Sequence, residues 1–403
     1  MQKLIEKYTQ LLNEQREVYQ RNVFADFVLD GRIMGIIGPR GIGKTTFLLE
    51  YVKTHYGDSE KALYISADDP YFLENTLVDV AQNFVNNYGG ELLLIDEIHR
   101  YKNWNQELKN IYDFLPKLKV IFSGSSSLNL IKGKHDLSRR AIIYYLHGFS
   151  FREFLEYKLQ IKLKNYSLDQ LIEDQIVVSR QLSKIPKFLG HWREYLNIGY
   201  YPFAFEFKVK DNIYQAVANI IEKTIYEDIA SYYSLKTDNL IVFKKLLFFL
   251  ATTSPGEVNV NKLANSLGKD NKTILEYLRI LQDIGFIKFL LNNKRGHSLV
   301  RNLEKVYLDN SVLFFALNAY LGKEAEIGLA REIFVHNQLT NARYKVFYAK
   351  TGDINCGKYF FEIGGRSKKI KQIKDVKNGY LLLDNVITGS KNILPLYLLG
   401  FLY

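Results

Sequence analysis

The residues with the plainest chemical use lie in "GPRGIGKTT", Gly38 to Thr46, at the end of the apolar run "IMGIIG". Gly38, Gly43, Lys44 and Thr45 fit the spacing G-x-x-x-x-G-K-[ST]. After a strand, glycines let the backbone wrap a phosphate with its N–H groups turned inward, and the next helix aims its positive end at the same place. Lys44 is then expected to reach β- and γ-phosphates, and the Thr45 hydroxyl to ligate Mg²⁺. The expected phosphate cradle is the whole run: Gly38, Pro39, Arg40, Gly41, Ile42, Gly43, Lys44, Thr45 and Thr46.

A partner motif belongs on another strand. "ELLLIDEIH" carries Asp96 after four apolar residues, where it would hold Mg²⁺ through water. Glu97 would orient and activate the attacking water. An acidic pair opening a helix is the plain alternative. "FSGSSS" ends a further strand, so Ser123 or Ser125 is placed to sense a γ-phosphate, although serines are also ordinary turn residues. Arg139 and Arg140 follow, and one of them would stabilise transition-state charge, within the chain or across a subunit contact. A guanine reader Asn-Lys-x-Asp is lacking, since "NKRG" at Asn293 has no Asp, so ATP is the expected nucleotide.

The elements that must position these residues follow from hydropathy. Strands are expected at "RIMGIIG", "ALYISA", "ELLLID", "LKVIFSG" and "AIIYYL", separated by amphipathic helices. Near-continuous apolar strands alternating with helices predict a parallel sheet covered on both faces. "SFREFLEYK" opens a helix with Ser150 and Glu153 at capping-box spacing. From there to about residue 235 the pattern is helical.

Beyond Asn239 the order reads helix, short helix ending at Gly268, helix, and hairpin with a basic tip, which is the order of a winged helix. In "NKTILEYLRILQDIG", Ile274, Tyr277, Leu278 and Leu281 share one face. Asn271, Lys272, Thr273, Glu276 and Arg279 would face outward, with Lys294, Arg295 and His297 at the hairpin tip. That is a layout for touching DNA, and equally one for a protein contact. From about Glu326 the pattern is helix, strand, strand, helix, strand, with "LPLYLLGFLY" expected as a final strand.

The 403 residues are 47% hydrophobic and 24% charged, which argues for folded domains and against disorder. The net charge is +11, of which residues 236–305 carry +6 and 331–403 carry +7, leaving the remainder near −2. A localised basic excess suits a polyanionic partner, while solvated lysines on helix faces are the plain alternative. One cysteine, Cys356, excludes a disulfide framework, and no apolar run is of membrane-spanning length. The polar start "MQKLIEKYTQLLNEQREVYQ" lacks a signal-peptide core, so a cytoplasmic location is expected.

The chain resembles a large bacterial and archaeal family of AAA-superfamily P-loop ATPases that join an ATPase core to a winged-helix region and a C-terminal domain of unknown function. The residues that carry the resemblance are "GPRGIGKTT", "LLLIDEIHRYKNWNQELKNIYD", "IFSGSSSLNL", "LSRRAIIYYLHGFSFREFL", "NIGYYPF", "AREIFVHNQL" and "YFFEIGGRSKKIKQI". The resemblance implies Walker-A roles for Lys44 and Thr45, Walker-B roles for Asp96 and Glu97, and a trigger role for Arg140. It also implies a C-terminal fold similar to PD-(D/E)xK nucleases. Asp353 and Glu362 would be the carboxylates and Glu332 a third, but Gly364 stands where Glu-x-Lys needs its lysine, and only Arg366 and Lys368 lie near. A nuclease-like fold kept for binding is the expected outcome.

The expected fold class is α/β: a P-loop core with a parallel sheet over 1–149, a helical lid over 150–235, a winged helix over 236–325 and a small basic α/β domain over 326–403. The expected activity is Mg²⁺-dependent ATP hydrolysis by a switch or remodelling ATPase acting on DNA or a protein partner, with a homo-oligomer as one form. The alternatives are an ATP-gated nuclease effector and a non-catalytic ATP-responsive DNA-binding regulator.

Overall fold

The computed structural model describes the chain except for residues 15–18, 22–23, 25–26, 126–138, 234, 254–258, 294–302 and 370–372. It divides into two compact units, Met1–His147 and Gly148–Tyr403.

In the first unit, five strands form one parallel sheet: β1 (Ile33–Gly38), β2 (Ala62–Ser66), β3 (Leu92–Asp96), β4 (Lys119–Ser125) and β5 (Ala141–Tyr145), in the order β2-β3-β4-β1-β5. Every residue of β1 and β3 is buried, as central parallel strands covered on both faces require. At the edge, β5 leaves Ile142 and Tyr145 exposed. Parallel strands need crossovers, and helices α2 (Lys44–His55), α3 (Leu77–Tyr88) and α4 (Trp104–Phe114) supply them after β1, β2 and β3; α1 (Gln2–Glu14) packs beside β2. Strand order reverses about β1, so the C-terminal ends of β1, β3 and β4 meet where open α/β sheets bind ligands.

The second unit opens with helices. Ser150 caps the helix Phe151–Leu159, and both capping-box bonds to Glu153 form. Further on lie the helices Thr237–Thr252, Val260–Leu267 and Asn271–Asp283 and a hairpin of β6 (Ile287–Leu291) and β7 (Leu303–Leu308). Ile274, Tyr277, Leu278 and Leu281 are all buried, so the apolar face read from the sequence is the packed one.

The hairpin does not stop at its own pair. It joins β8 (Val346–Tyr348), β9 (Ile354–Cys356), β10 (Tyr359–Gly364), β11 (Gly379–Leu383) and β12 (Ile393–Pro395) in a seven-stranded mixed sheet ordered β12-β11-β10-β9-β8-β6-β7. The boundary expected at 325/326 therefore falls between strands of one sheet. The helix Ile327–Asn341 packs on it against β8 and β10. The helix expected between β10 and β11 falls on a connection that includes residues 370–372, outside the described residues. One local expectation is corrected. The apolar tail runs through the short β12 into a buried 3₁₀ helix, Leu396–Phe401, so the apolar run packs as helix rather than as a strand.

Candidate functional site

The loop after β1 is shaped by two glycines. A Cβ on Gly38 would stand 2.2 Å from the carbonyl oxygen of Leu146, so no larger residue fits. Gly43 precedes α2 at φ 89°, a left-handed conformation that only glycine enters without cost. The turn ends in α2, whose first residue is Lys44. The Lys44 side chain is buried and its ammonium donates to the carbonyl oxygens of Gly38, at 3.1 Å, and Pro39, at 3.0 Å. The positive charge thus lies within the loop, where the free N–H groups at the start of α2 add their own partial charge. Ile42 is buried under the loop, while Gly41, Thr45 and Thr46 are exposed and Pro39 and Arg40 half-buried.

Asp96, at the end of β3, is 3% exposed and fully engaged. Its Oδ2 accepts from Thr45 Oγ1 at 2.6 Å and from the Tyr64 hydroxyl at 2.8 Å. Its Oδ1 accepts from the Glu97 N–H at 3.1 Å and from Ser123 Oγ. The hydroxyl of Thr45 and the carboxylate of Asp96 are hard oxygen donors side by side, the donor chemistry that suits Mg²⁺. Among the described residues no three His, Cys, Asp or Glu cluster to hold a metal by themselves.

Glu97 adopts φ 50°. Its N–H also donates to Ser123 Oγ at 3.0 Å, and its carboxylate Oε2 lies 3.4 Å from His99 Nε2. Ser123 is fully buried and gives its hydroxyl hydrogen to Asp96. It supports that carboxylate, and its donor is not directed at a phosphate. Ser125 differs: it pairs in register with Gly38, and its buried Oγ has no hydrogen-bond partner among the described residues. Of the two serines, Ser125 is the one with a donor to offer.

Arg140 is placed at the other end of the sheet. β5 runs parallel to β1 with Ala141 beside Ile33, so Arg140 precedes the N-terminal edge while the loop follows the C-terminal edge. The six-residue β1 separates them by roughly 20 Å at a strand rise of about 3.3 Å per residue. Arg140 instead lies 3.6 Å from Asp113 and faces the Tyr112 ring at 5.5 Å. Of the two placements expected for it, within the chain or across a subunit contact, this register argues against the first. Exposed Arg139 lies at the same edge.

Two residues of this site escape the motifs. Tyr64 reaches Asp96 from β2, and burial, then the Asp96 charge, push its hydroxyl pKa up. His99 has a side chain only 2% exposed, and its Nδ1 accepts the Ser125 N–H at 3.3 Å. "DEIH" places that histidine two residues from Glu97, which was the available signal.

In the second unit Glu362 and Lys368 meet, while Glu332 and Asp353 have other hydrogen-bond partners, and among the described residues the three carboxylates do not form a metal-holding group. The Lys368 ammonium pairs with Glu362, which is 1% exposed. Asp353 Oδ2 accepts the Ile363 N–H at 2.8 Å. Burial raises the Asp353 pKa, and the charges of Glu332 and Glu362 add to the rise. Glu332 Oε2 accepts from Lys305 at 3.0 Å and from the Tyr307 hydroxyl at 2.7 Å. A Cβ on Gly364 would stand 2.5 Å from the Lys368 chain, so that chain crosses the place a side chain at 364 would fill. Of the candidate DNA contacts, Lys272 and Arg279 are exposed on the helix Asn271–Asp283. Lys294, Arg295 and His297 lie outside the described residues.

Residues 30–155 match the family model of an AAA domain, and residues 189–324 match a domain of unknown function. An uncharacterized protein of Methanocaldococcus jannaschii is 28% identical over 291 residues, a match covering 68% of this chain and 58% of that protein. The chain thus spans less than two thirds of that curated relative's length. Among solved structures, a Thermotoga maritima RuvB is 17% identical with a TM-score of 0.33, over 81% of this chain and 96% of that one. AMPPCP-bound DnaA of Aquifex aeolicus is 17% identical with a TM-score of 0.26, over 69% and 86%. Hsp104 of S. cerevisiae, in its ADP complex, is 15% identical with a TM-score of 0.29, over 70% and 39%. Among the described residues no helix is long and apolar enough to cross a membrane.

Proposed function

We propose that this chain, an AAA-superfamily P-loop ATPase by its domain over residues 30–155, binds ATP with Mg²⁺ and hydrolyses it to switch a nucleic-acid or protein partner. The observation that carries the reading is the direct bond from Thr45 to Asp96, which joins the helix start after the phosphate loop to the end of β3, one residue before Glu97. The loop and Lys44 would hold the β- and γ-phosphates. Thr45 and Asp96 would hold the metal, which supplies charge neutralisation at the phosphates. Glu97 would orient water toward the γ-phosphate, and Ser125 would report its presence. The basic C-terminal half and the helix carrying Lys272 and Arg279 support nucleic acid as the partner, with the helices before the hairpin read as a winged helix.

The test is ATP turnover with and without DNA, for the parent chain and for Glu97→Gln and Lys44→Ala. Glu97→Gln is expected to bind ATP but lose turnover, and Lys44→Ala to lose binding. DNA-stimulated turnover supports nucleic acid as the partner. Unchanged turnover in Glu97→Gln would sink the hydrolytic role of that residue.

A second reading is favoured by one contact, the Lys368 chain over Gly364. A lysine from 368 would then serve where Glu-x-Lys has its own, beside Glu332, Asp353 and Glu362, and the second unit would cut nucleic acid with Mg²⁺. Mg²⁺-dependent nicking lost in Glu362→Ala is the expected result. ATP turnover without nicking in the parent chain removes this reading and leaves the first.

A further inference from the structure

We infer that His99 is a positioning residue for hydrolysis, which donates from Nε2 to the Glu97 carboxylate and ties it to the end of β4. The inference deepens the ATP-hydrolysing reading and rests on it.

The assignment of the ring proton follows from the partner of Nδ1. The Ser125 backbone N–H can only donate, and it approaches Nδ1 at 3.3 Å. Nδ1 therefore carries the lone pair, and the neutral ring has its hydrogen on Nε2. That nitrogen lies 3.4 Å from Glu97 Oε2, within ion-pair distance but short of hydrogen-bond geometry in this structure. Hydrogen bonds of reacting groups are commonly long before substrate binds and tighten when it does.

Glu97 needs such a partner. Its backbone is pinned by the bonds of its N–H to Asp96 and Ser123, in a left-handed conformation. Those bonds do not constrain the side chain, which turns about its own rotatable bonds. A carboxylate that orients water must present one oxygen to it. A donor on the other oxygen selects the arrangement in which it can. Among the described residues His99 is the partner of the Glu97 carboxylate. The imidazole is itself held, since it is buried to 2% exposure and its Nδ1 is anchored on β4. Ser125, which supplies that anchor, stands in register with Gly38 at the start of the phosphate loop. Through the ring, Glu97 is thereby indexed to the strand beside the loop that would hold the γ-phosphate.

Substitutions separate the two ring nitrogens. A glutamine at 99 can place its amide N–H where Nε2 stands, and so keeps the donor to Glu97. An asparagine can place its carbonyl oxygen where Nδ1 stands, and so keeps only the acceptor for Ser125. The experiment measures kcat and ATP affinity in the full chain for His99→Ala, His99→Gln and His99→Asn, each alone and combined with Glu97→Gln. His99→Ala is expected to lower kcat about 10- to 100-fold, the range seen when a partner that orients a reacting group is removed. ATP affinity should move by less than about threefold, since the lost contact serves the transition state rather than binding. His99→Gln should stay closer to the parent than His99→Asn. On the Glu97→Gln background no further loss is expected, because residues acting as a unit are not additive.

Parent-like kcat in His99→Ala, an equal loss of kcat and affinity, an asparagine better than glutamine, or full additivity with Glu97→Gln would each overturn the inference while leaving ATP hydrolysis standing. A parent chain that binds ATP without turning it over removes the hydrolytic reading and this inference together. Where His99→Ala does not fold, the glutamine–asparagine contrast decides.

Discussion

Asp96 and His336 are both buried, and they meet burial in opposite ways. At Asp96 four donors converge on the two carboxylate oxygens and replace the hydrogen bonds of water. His336, 2% exposed on the helix Ile327–Asn341, is kept neutral instead. Burial, and next the Lys288 charge, depress its pKa to about 3. Lys288 is itself 3.5 Å from Asp309, and the Tyr307 ring lies 5.2 Å from the imidazole. The sign follows from linkage. Above the unfolded-state pKa near ~6.5 the histidine is neutral in both states and pH has no effect through it. Below that, the unfolded chain takes up a proton that the folded chain refuses, so stability falls as pH drops from about 6.5 toward 3. Between pH 7.5 and pH 5.5 the loss through this residue is about 1 kcal/mol. Urea unfolding at those two pH values should show the parent losing that much more than His336→Leu. Equal losses in parent and variant would mean that His336 takes up its proton inside the fold.

At the level of elements, the first unit is legible because its sheet is parallel. Strands buried on both faces are written as unbroken apolar runs, and "IMGIIG" and "LLLID" need no knowledge of their neighbours to be seen. The capping box at Ser150 is equally local. Lys44, Thr45, Asp96 and Glu97 were visible for the same reason, since each belongs to a short motif. What the sequence concealed depends on neighbours distant in the chain. Tyr64 matters because β2 lies beside β3, with Tyr64 opposite Leu94. Arg140 changes meaning because β5 runs parallel to β1 and so carries it away from the loop. The second sheet was concealed by short strands: β8, β9 and β12 are three residues each, too short to show a period. β8 and β6 meet at a single residue pair, Leu291 with Phe347, which no local pattern announces.

For the whole molecule, the register of β5 makes the number of copies a mechanistic question. An arginine at the N-terminal edge of the sheet cannot reach a triphosphate held at the C-terminal edge of the same sheet. It is partly exposed beside Asp113 and Tyr112, at an edge that also carries the exposed Phe114 and Ile142. If Arg140 stabilises transition-state charge, the charge belongs to another copy. Arg140→Ala should then bind ATP as the parent does and lose turnover, by as much as about 10³-fold where such an arginine is the main stabiliser. Lys44→Ala should bind no ATP, yet it keeps its arginine. Mixing the two inactive variants therefore makes a definite demand. Copies with an intact loop now sit beside copies with an intact Arg140, so turnover should reappear and rise with the share of Lys44→Ala until intact loops become limiting. Parent activity per chain should also climb with concentration, because a lone copy lacks the arginine. Mixtures that stay inactive at every ratio, with each variant folded, would confine Arg140 to its contact with Asp113 and Tyr112.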